Sequence, residues 1–157
     1  MSRYLRRGRG RASTWRSRRL RTGWQPCGPG GRPHVRPILA VWVAGELYFC
    51  AGENTRKAKN LALKSHCAVT VEREPLDLVV EGIAAKVRDA EWLQRVADGY
   101  ASTYDWYVIV RDGASITMSG EPRRQVPLLM NVYEVIPTTA FGFGTDESFS
   151  PTRWRFE

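Results

Sequence analysis

With 157 residues, 43% of them hydrophobic, the chain suits one domain with a core, and no apolar run approaches the roughly 18–20 residues that a membrane helix needs. The net charge of +8 belongs to one end: residues 1–45 carry 11 Arg and no acid, whereas residues 46–157 hold 13 basic and 16 acidic groups. Three cysteines (Cys27, Cys50, Cys67) and two histidines (His34, His66) stand in no metal-ligand spacing, which argues against a structural zinc site and suits a reducing, cytoplasmic setting.

Residues 1–31 are Arg, Gly, Ser and Trp with few aliphatics and no sustained period of two or 3.6. Residues 1–30 therefore read as a disordered basic arm ahead of a domain over residues 31–157. Val35 to Val43 reads as a strand, Ala44-Gly45 as a tight turn and Glu46 to Cys50 as the hairpin partner. A helix follows over residues 55–64, with Ala58, Leu61 and Ala62 on its apolar face and Lys64 at the end that favours a cation. Cys67 to Val71 is a third strand, and Leu76 to Val87 a long fourth one. Asp89 caps a second helix, with Glu91 in its first turn and a core face of Trp92, Leu93, Val96, Ala97 and Tyr100. Asp112 to Pro127 reads as an exposed excursion, Asn131 to Ile136 as a further strand, and Thr138 to Phe156 as a tail. Cys50 and Cys67, both in apolar strand patterns, read as buried thiols. Five or more strands with short turns and two interposed helices predict a mainly β fold, a small antiparallel barrel.

The stretch from Leu47 to Leu61 breaks a helix rule. A strand ends at Cys50, a short turn that begins with Ala51 follows, and the helix opens near Asn54 or Thr55 with Arg56, Lys57 and Lys59 at its start. The positive end of the helix dipole already lies there, so each cation costs about 0.3–1 kcal/mol. A bound anion compensates all three, because free backbone N–H groups and basic side chains point at it together. Arg36 joins the same group if its strand pairs with residues 46–50 as a hairpin. The alternative is a solvated basic face with no ligand. Other chemistry does not assemble: neither histidine has a Ser or Cys nucleophile at a recognisable spacing, and Gly142-Phe143-Gly144 is too little for a dinucleotide fingerprint. The arm leaves two further readings open, phosphate contacts to nucleic acid through Arg6 to Arg11 and an organelle transit peptide.

The run Arg32-Pro33-His34-Val35-Arg36-Pro37-Ile38-Leu39, then Leu47-Tyr48-Phe49, then Thr55-Arg56-Lys57 resembles the pyridoxamine 5′-phosphate oxidase-like, FMN- or F-420-binding split β-barrel family. The resemblance covers roughly residues 31–157 and implies an antiparallel, Greek-key split barrel. It also implies that Thr55, Arg56 and Lys57 hold a flavin phosphate, with Arg36 as the family's strand arginine. Phe141-Gly-Phe-Gly and Thr152-Arg-Trp-Arg-Phe156 are similar to the branch assigned to the deazaflavin coenzyme F-420 rather than to FMN. Two features depart from the classical oxidases: Val41 stands where they carry a Lys, and their C-terminal substrate-phosphate motif is not recognisable. By the same resemblance the protein is a homodimer with the cofactor at the subunit interface, a small-molecule substrate and hydride-transfer chemistry. Trp154 is then expected near the partner's site. The expected cofactor-binding set is Arg36, Cys50, Ala51, Thr55, Arg56, Lys57, Lys59 and Trp154, with no catalytic residue named. A non-catalytic cofactor carrier is the alternative, and nucleic acid is the less favoured partner.

Members of the family carry a first barrel strand of the type Tyr-Trp-Leu-Ala-Thr-Val-Arg-Pro before the Gly-Arg-Pro-His stretch. Here Arg21-Thr-Gly-Trp-Gln-Pro-Cys-Gly-Pro29 stands in its place. Reading each codon's third base with the next codon's first two permits the expected strand, and Trp24-Gln25 forces its Ala. Residues 1 to about 29 are thus expected to be out-of-frame translation, with the native first strand missing.

Overall fold

The computed structural model describes residues 22–24, 34–72, 75–119, 128–145 and 151–157, with backbone alone for residues 22–24, 119 and 128. Ten strands and two helices follow in the order β1 (Thr22–Trp24), β2 (Arg36–Ile38), β3 (Ala40–Val43), β4 (Glu46–Gly52), α1 (Arg56–Leu63), β5 (His66–Val71), β6 (Leu76–Lys86), α2 (Ala90–Tyr104), β7 (Tyr107–Arg111), β8 (Ser115–Ser119), β9 (Leu128–Gly144) and β10 (Thr152–Arg155). All pairings are antiparallel, and the main path runs β2-β1-β5-β6-β9-β4-β3. The 17-residue β9 is the spine. One of its edges pairs with β8 and then β6, the other with β4 and then β10. This is the mainly β, antiparallel architecture with two interposed helices that the strand count predicts, and it suits the split barrel that the resemblance implies.

The apolar run Leu47-Tyr48-Phe49-Cys50-Ala51 is buried on both faces, which explains why it does not alternate with polar residues. Leu47, Phe49 and Ala51 face the barrel interior with Val69, Val80, Tyr133 and Val135, and α1 closes that core with Ala58 and Leu61. Tyr48 and Cys50 face the other way, into a second core where α2 packs Leu93, Val96, Ala97 and Tyr100 on Val41, Val132 and Ile116. Asp89 caps α2 as expected, its carboxylate accepting the Trp92 N–H at 2.9 Å. Ala44 and Gly45 both have positive φ (52° and 89°), the geometry of a two-residue hairpin turn.

Several elements differ from the sequence reading. Val35 to Val43 is two strands, not one: β2 pairs with β1, the chain breaks step at Leu39, and β3 pairs with β4. On α1 the buried face is Ala58, Asn60 and Leu61, while Ala62 is exposed. The expected exposed excursion from Asp112 holds a hairpin instead, since β8 buries Ile116 and Met118 against α2, and residues 120–127 lie outside the described residues. The expected tail is the second half of β9 and then β10. Thr22–Trp24, placed by the sequence in the arm, bridges β2 and β5, so the position of the first strand is filled by three residues. The rest of residues 1–30, read as a basic arm or out-of-frame segment, lies outside the described residues. No helix among the described residues is long and apolar enough to cross a membrane.

Candidate functional site: the start of helix α1

β4 carries the chain from the barrel wall into a turn that starts at Gly52. The Thr55 N–H and the Thr55 hydroxyl both donate to the Gly52 carbonyl, at 3.0 and 2.7 Å. The same hydroxyl oxygen accepts the Ala58 N–H at 3.2 Å, which makes Thr55 the N-cap of α1. Thr55 therefore builds the helix start. A Cβ on Gly52 would lie 3.3 Å from the Thr55 methyl, so the glycine keeps the mouth of the turn clear.

Arg56 and Lys57 are the first two helical residues, and no acid stands in the first turn. Arg56 is exposed. Lys57 folds back toward the sheet: its ammonium donates to the Cys50 carbonyl at 2.8 Å and lies 5.6 Å from the Phe49 ring centroid. Burial pushes its pKa down from 10.5 to about 8. Across from α1, just ahead of β2, stands His34, half-buried. Its pKa is held below the usual value by burial first, then by the charges of Arg56, Arg36 and Lys57. One imidazole thus feels the two cations of α1 and the one on β2. Neither Arg36 nor Arg56 forms a salt bridge with a described carboxylate. A positive cluster at a capped helix start favours a phosphate or similar anion.

The sequence-predicted residues divide. Arg36, Arg56 and Lys57 all act electrostatically on His34, Arg36 from β2, paired with Trp24, and not from a hairpin with β4, while Thr55 caps the helix that carries the other two. Cys50 and Ala51 are buried in β4, and what Cys50 offers the site is its carbonyl, already engaged by Lys57. Lys59 is exposed about 200° round the helix from Lys57 and is not among the charges that His34 feels. Trp154 sits on β10 opposite Ala140, ten residues along β9 from Met130, the partner of Gly52. Its ring lies on Gly142, where a Cβ would come within 2.7 Å of the indole. His34 is the residue that sequence reasoning leaves out of the site, because it counts there only as a zinc ligand without spacing, a base without a nucleophile and a member of the Arg32-to-Leu39 run. Its signal is its place two residues before Arg36.

A family model described as pyridoxamine 5′-phosphate oxidase matches residues 27–135, a span that contains Arg36 and the whole α1 start. The chain belongs to the pyridoxamine 5′-phosphate oxidase family. No curated protein matches it. Among solved structures it is similar to the conserved hypothetical protein Rv2991 of Mycobacterium tuberculosis, with 17% identity, a TM-score of 0.61, and 82% of this chain and 78% of that one covered. It is similar to a haem-binding protein of Mycobacterium smegmatis at 11% identity and a TM-score of 0.60. That match covers 85% of this chain and 52% of the other, so the chain spans about half the length of that relative. A third is a pyridoxamine 5′-phosphate oxidase-related, FMN-binding protein of Nostoc punctiforme, with 11% identity, a TM-score of 0.51 and coverage of 87% and 86%. At these identities the likeness is one of fold, and the family's split barrel is what they share.

Proposed function

We propose that the protein is a flavin- or deazaflavin-dependent oxidoreductase that binds its cofactor phosphate at the start of α1. The observation that carries this reading is a threonine-capped helix start whose first two residues, Arg56 and Lys57, are cations with no acid in the first turn, and whose charges act on His34 together with that of Arg36. Arg56 and Arg36 hold the phosphate from α1 and from β2. Lys57 adds a charge from below, and Thr55 fixes the direction of the helix N–H groups. Charge-assisted hydrogen bonds of this kind contribute roughly 1.5–3 kcal/mol each. The bound cofactor supplies hydride transfer, while the chain supplies position and electrostatics.

Coenzyme F-420 is the proposed cofactor and FMN the alternative. The resemblance of the Phe141-Gly-Phe-Gly and Thr152-to-Phe156 segments favours the former. A homodimer is proposed with it, in which the one-third-exposed Trp154 faces the partner's cofactor, and light scattering of the purified chain tests that state. Free, buried Cys50 and Cys67 support a reducing, cytoplasmic setting. The deciding experiment is titration of the purified chain with FMN and with F-420, by absorbance and fluorescence. Tighter binding of F-420 is expected, together with a large loss in the Arg56→Ala, Lys57→Ala double variant. Binding that survives the double variant unchanged overturns the phosphate site. Turnover of reduced cofactor with an electron acceptor separates an enzyme from a carrier.

A further inference from the structure

We infer that Asn60 is a further binding residue of the anion site, its side-chain amide donating a hydrogen bond to a phosphate oxygen held at the start of α1. The inference rests on the proposed phosphate site and adds a neutral donor to its cations. Its starting point is a polar side chain on the face of α1 that is turned inward. That buried face is Ala58, Asn60 and Leu61. Ala58 and Leu61 belong to the barrel core, as an amphipathic helix requires. Asn60 is only 4% exposed, and its backbone carbonyl accepts the Lys64 N–H at 2.8 Å. Its side-chain Nδ2 is buried without a hydrogen-bond partner. Buried amides are nearly always bonded, because an unpaired donor forfeits its bond to water and gains nothing in return. An alanine would carry no such cost here and is the better helix former.

Helix geometry gives the orphan amide a direction. Asn60 lies about 40° round the axis from Arg56 and about 60° from Lys57, between the two and one turn further along. These are its i−4 and i−3 neighbours, the positions whose side chains meet on a helix surface. Every Cα–Cβ bond tilts toward the helix N-terminus, so the Asn60 side chain leans toward the turn that carries both cations. Leu61 and Ala58 lie about 100° and about 160° from it, over the barrel core, which leaves Asn60 at the edge of the buried face beside Arg56. The other groups of this turn are spent within the fold. The Thr55 hydroxyl serves Gly52 and Ala58, and the Lys57 ammonium donates to the Cys50 carbonyl. Nδ2 is the donor beside them that the fold leaves unused. It also selects differently. The two cations attract any anion, whereas a buried amide N–H requires an acceptor oxygen at hydrogen-bond distance.

The test is titration of the full chain with FMN and with F-420, as the unaltered protein, Asn60→Ala, Asn60→Asp and the Arg56→Ala, Lys57→Ala double variant, each melted first without ligand. Alanine keeps the helix and removes the amide, so the free Asn60→Ala chain is expected to melt no lower than the unaltered one. Its affinity for the cofactor is expected to fall about ten- to a hundredfold, the range into which one hydrogen bond to a charged group converts. Asn60→Asp, close in shape but acidic and without the donor, is expected to weaken binding further still. A melting temperature that falls by several degrees in Asn60→Ala means that the amide is spent on the fold, and overturns the inference whatever the affinity does. So does an unchanged affinity in Asn60→Ala, or binding by Asn60→Asp as tight as by Asn60→Ala. In each of these cases the phosphate site stands as long as the double variant loses binding. If the double variant binds like the unaltered chain, or if the chain binds neither FMN nor F-420, the phosphate site falls and the role of Asn60 with it.

Discussion

Lys57 is a cation held in two environments at once, and pH separates them. In the free protein its pKa lies at about 8, so it is roughly 90% charged at pH 7 and about 10% charged at pH 9. A phosphate placed at the helix start restores the charged form toward its ordinary value of 10.5. Binding above pH 8 then requires uptake of one proton, and each further pH unit costs about a factor of ten in affinity. FMN affinity is therefore expected to be about tenfold weaker at pH 9 than at pH 7, over a range where a phosphate monoester with its second pKa near 6 is already fully ionised. Fluorescence titration of FMN at fixed ionic strength measures this, with Lys57→Met as the reference that keeps an unbranched side chain and removes the charge. Stability must move the other way. A depressed lysine pKa means that the unfolded chain binds a proton that the folded one has lost, so the cost of burying the charge fades as pH rises from about 8 toward 10.5. An affinity that stays flat from pH 7 to 9, or that falls equally in Lys57→Met, refutes the argument.

Three further outcomes follow from positions where the backbone leaves no room or a cap bears the load. Gly82→Ala should lower stability by about 2–4 kcal/mol in urea unfolding, because its Cβ would lie 2.2 Å from the Ile136 carbonyl oxygen at the register shift between β6 and β9. Gly142→Ala should lift the Trp154 indole off β9, seen as a shift of its indole N–H in NMR spectra assigned with Trp154→Phe, at a cost of about 1–3 kcal/mol. Thr55→Ala should cost about 1 kcal/mol through loss of the α1 cap and weaken FMN binding, while Thr55→Ser restores both in melts and titrations.

What was legible in the sequence is what local chemistry writes there. The cations at the start of α1 and their capping threonine were legible because a helix start without acids is a local anomaly. The turn at Ala44-Gly45 and the cap at Asp89 were legible for the same reason. The hairpin of β7 and β8 carried a signal that went unread. Asp112-Gly113 is a favoured hairpin dipeptide, and both residues adopt positive φ (49° and 58°) between the alternating runs Tyr107–Arg111 and Ser115–Ser119. Trp154 could have been tied to the Gly-Phe-Gly pattern, since a flat indole needs a residue without a side chain beneath it. The inward turn of Lys57 was not legible, because it depends on a carbonyl that only the fold places beside it.

The break at Leu39 was illegible for a deeper reason. Nothing in Ile38-Leu39-Ala40-Val41 opposes a continuous strand, since all four are apolar and none is a glycine or proline. What divides the run is hydrogen bonding supplied from 61 and 64 residues away in the sequence. A single straight strand would also run Arg36 toward the Cys50 end of β4, so the hairpin reading and the broken strand put this arginine on the same side of the barrel by different routes. The actual route costs the two tyrosine hydroxyls of α2, Tyr100 and Tyr104, and without them the Leu39 and Ala40 carbonyls would be left unsatisfied at about 1–3 kcal/mol each. A fold that only needed a barrel wall here could have run the strand straight. That the chain instead breaks it, and satisfies the break from α2, ties the second core to the end of the strand that carries Arg36.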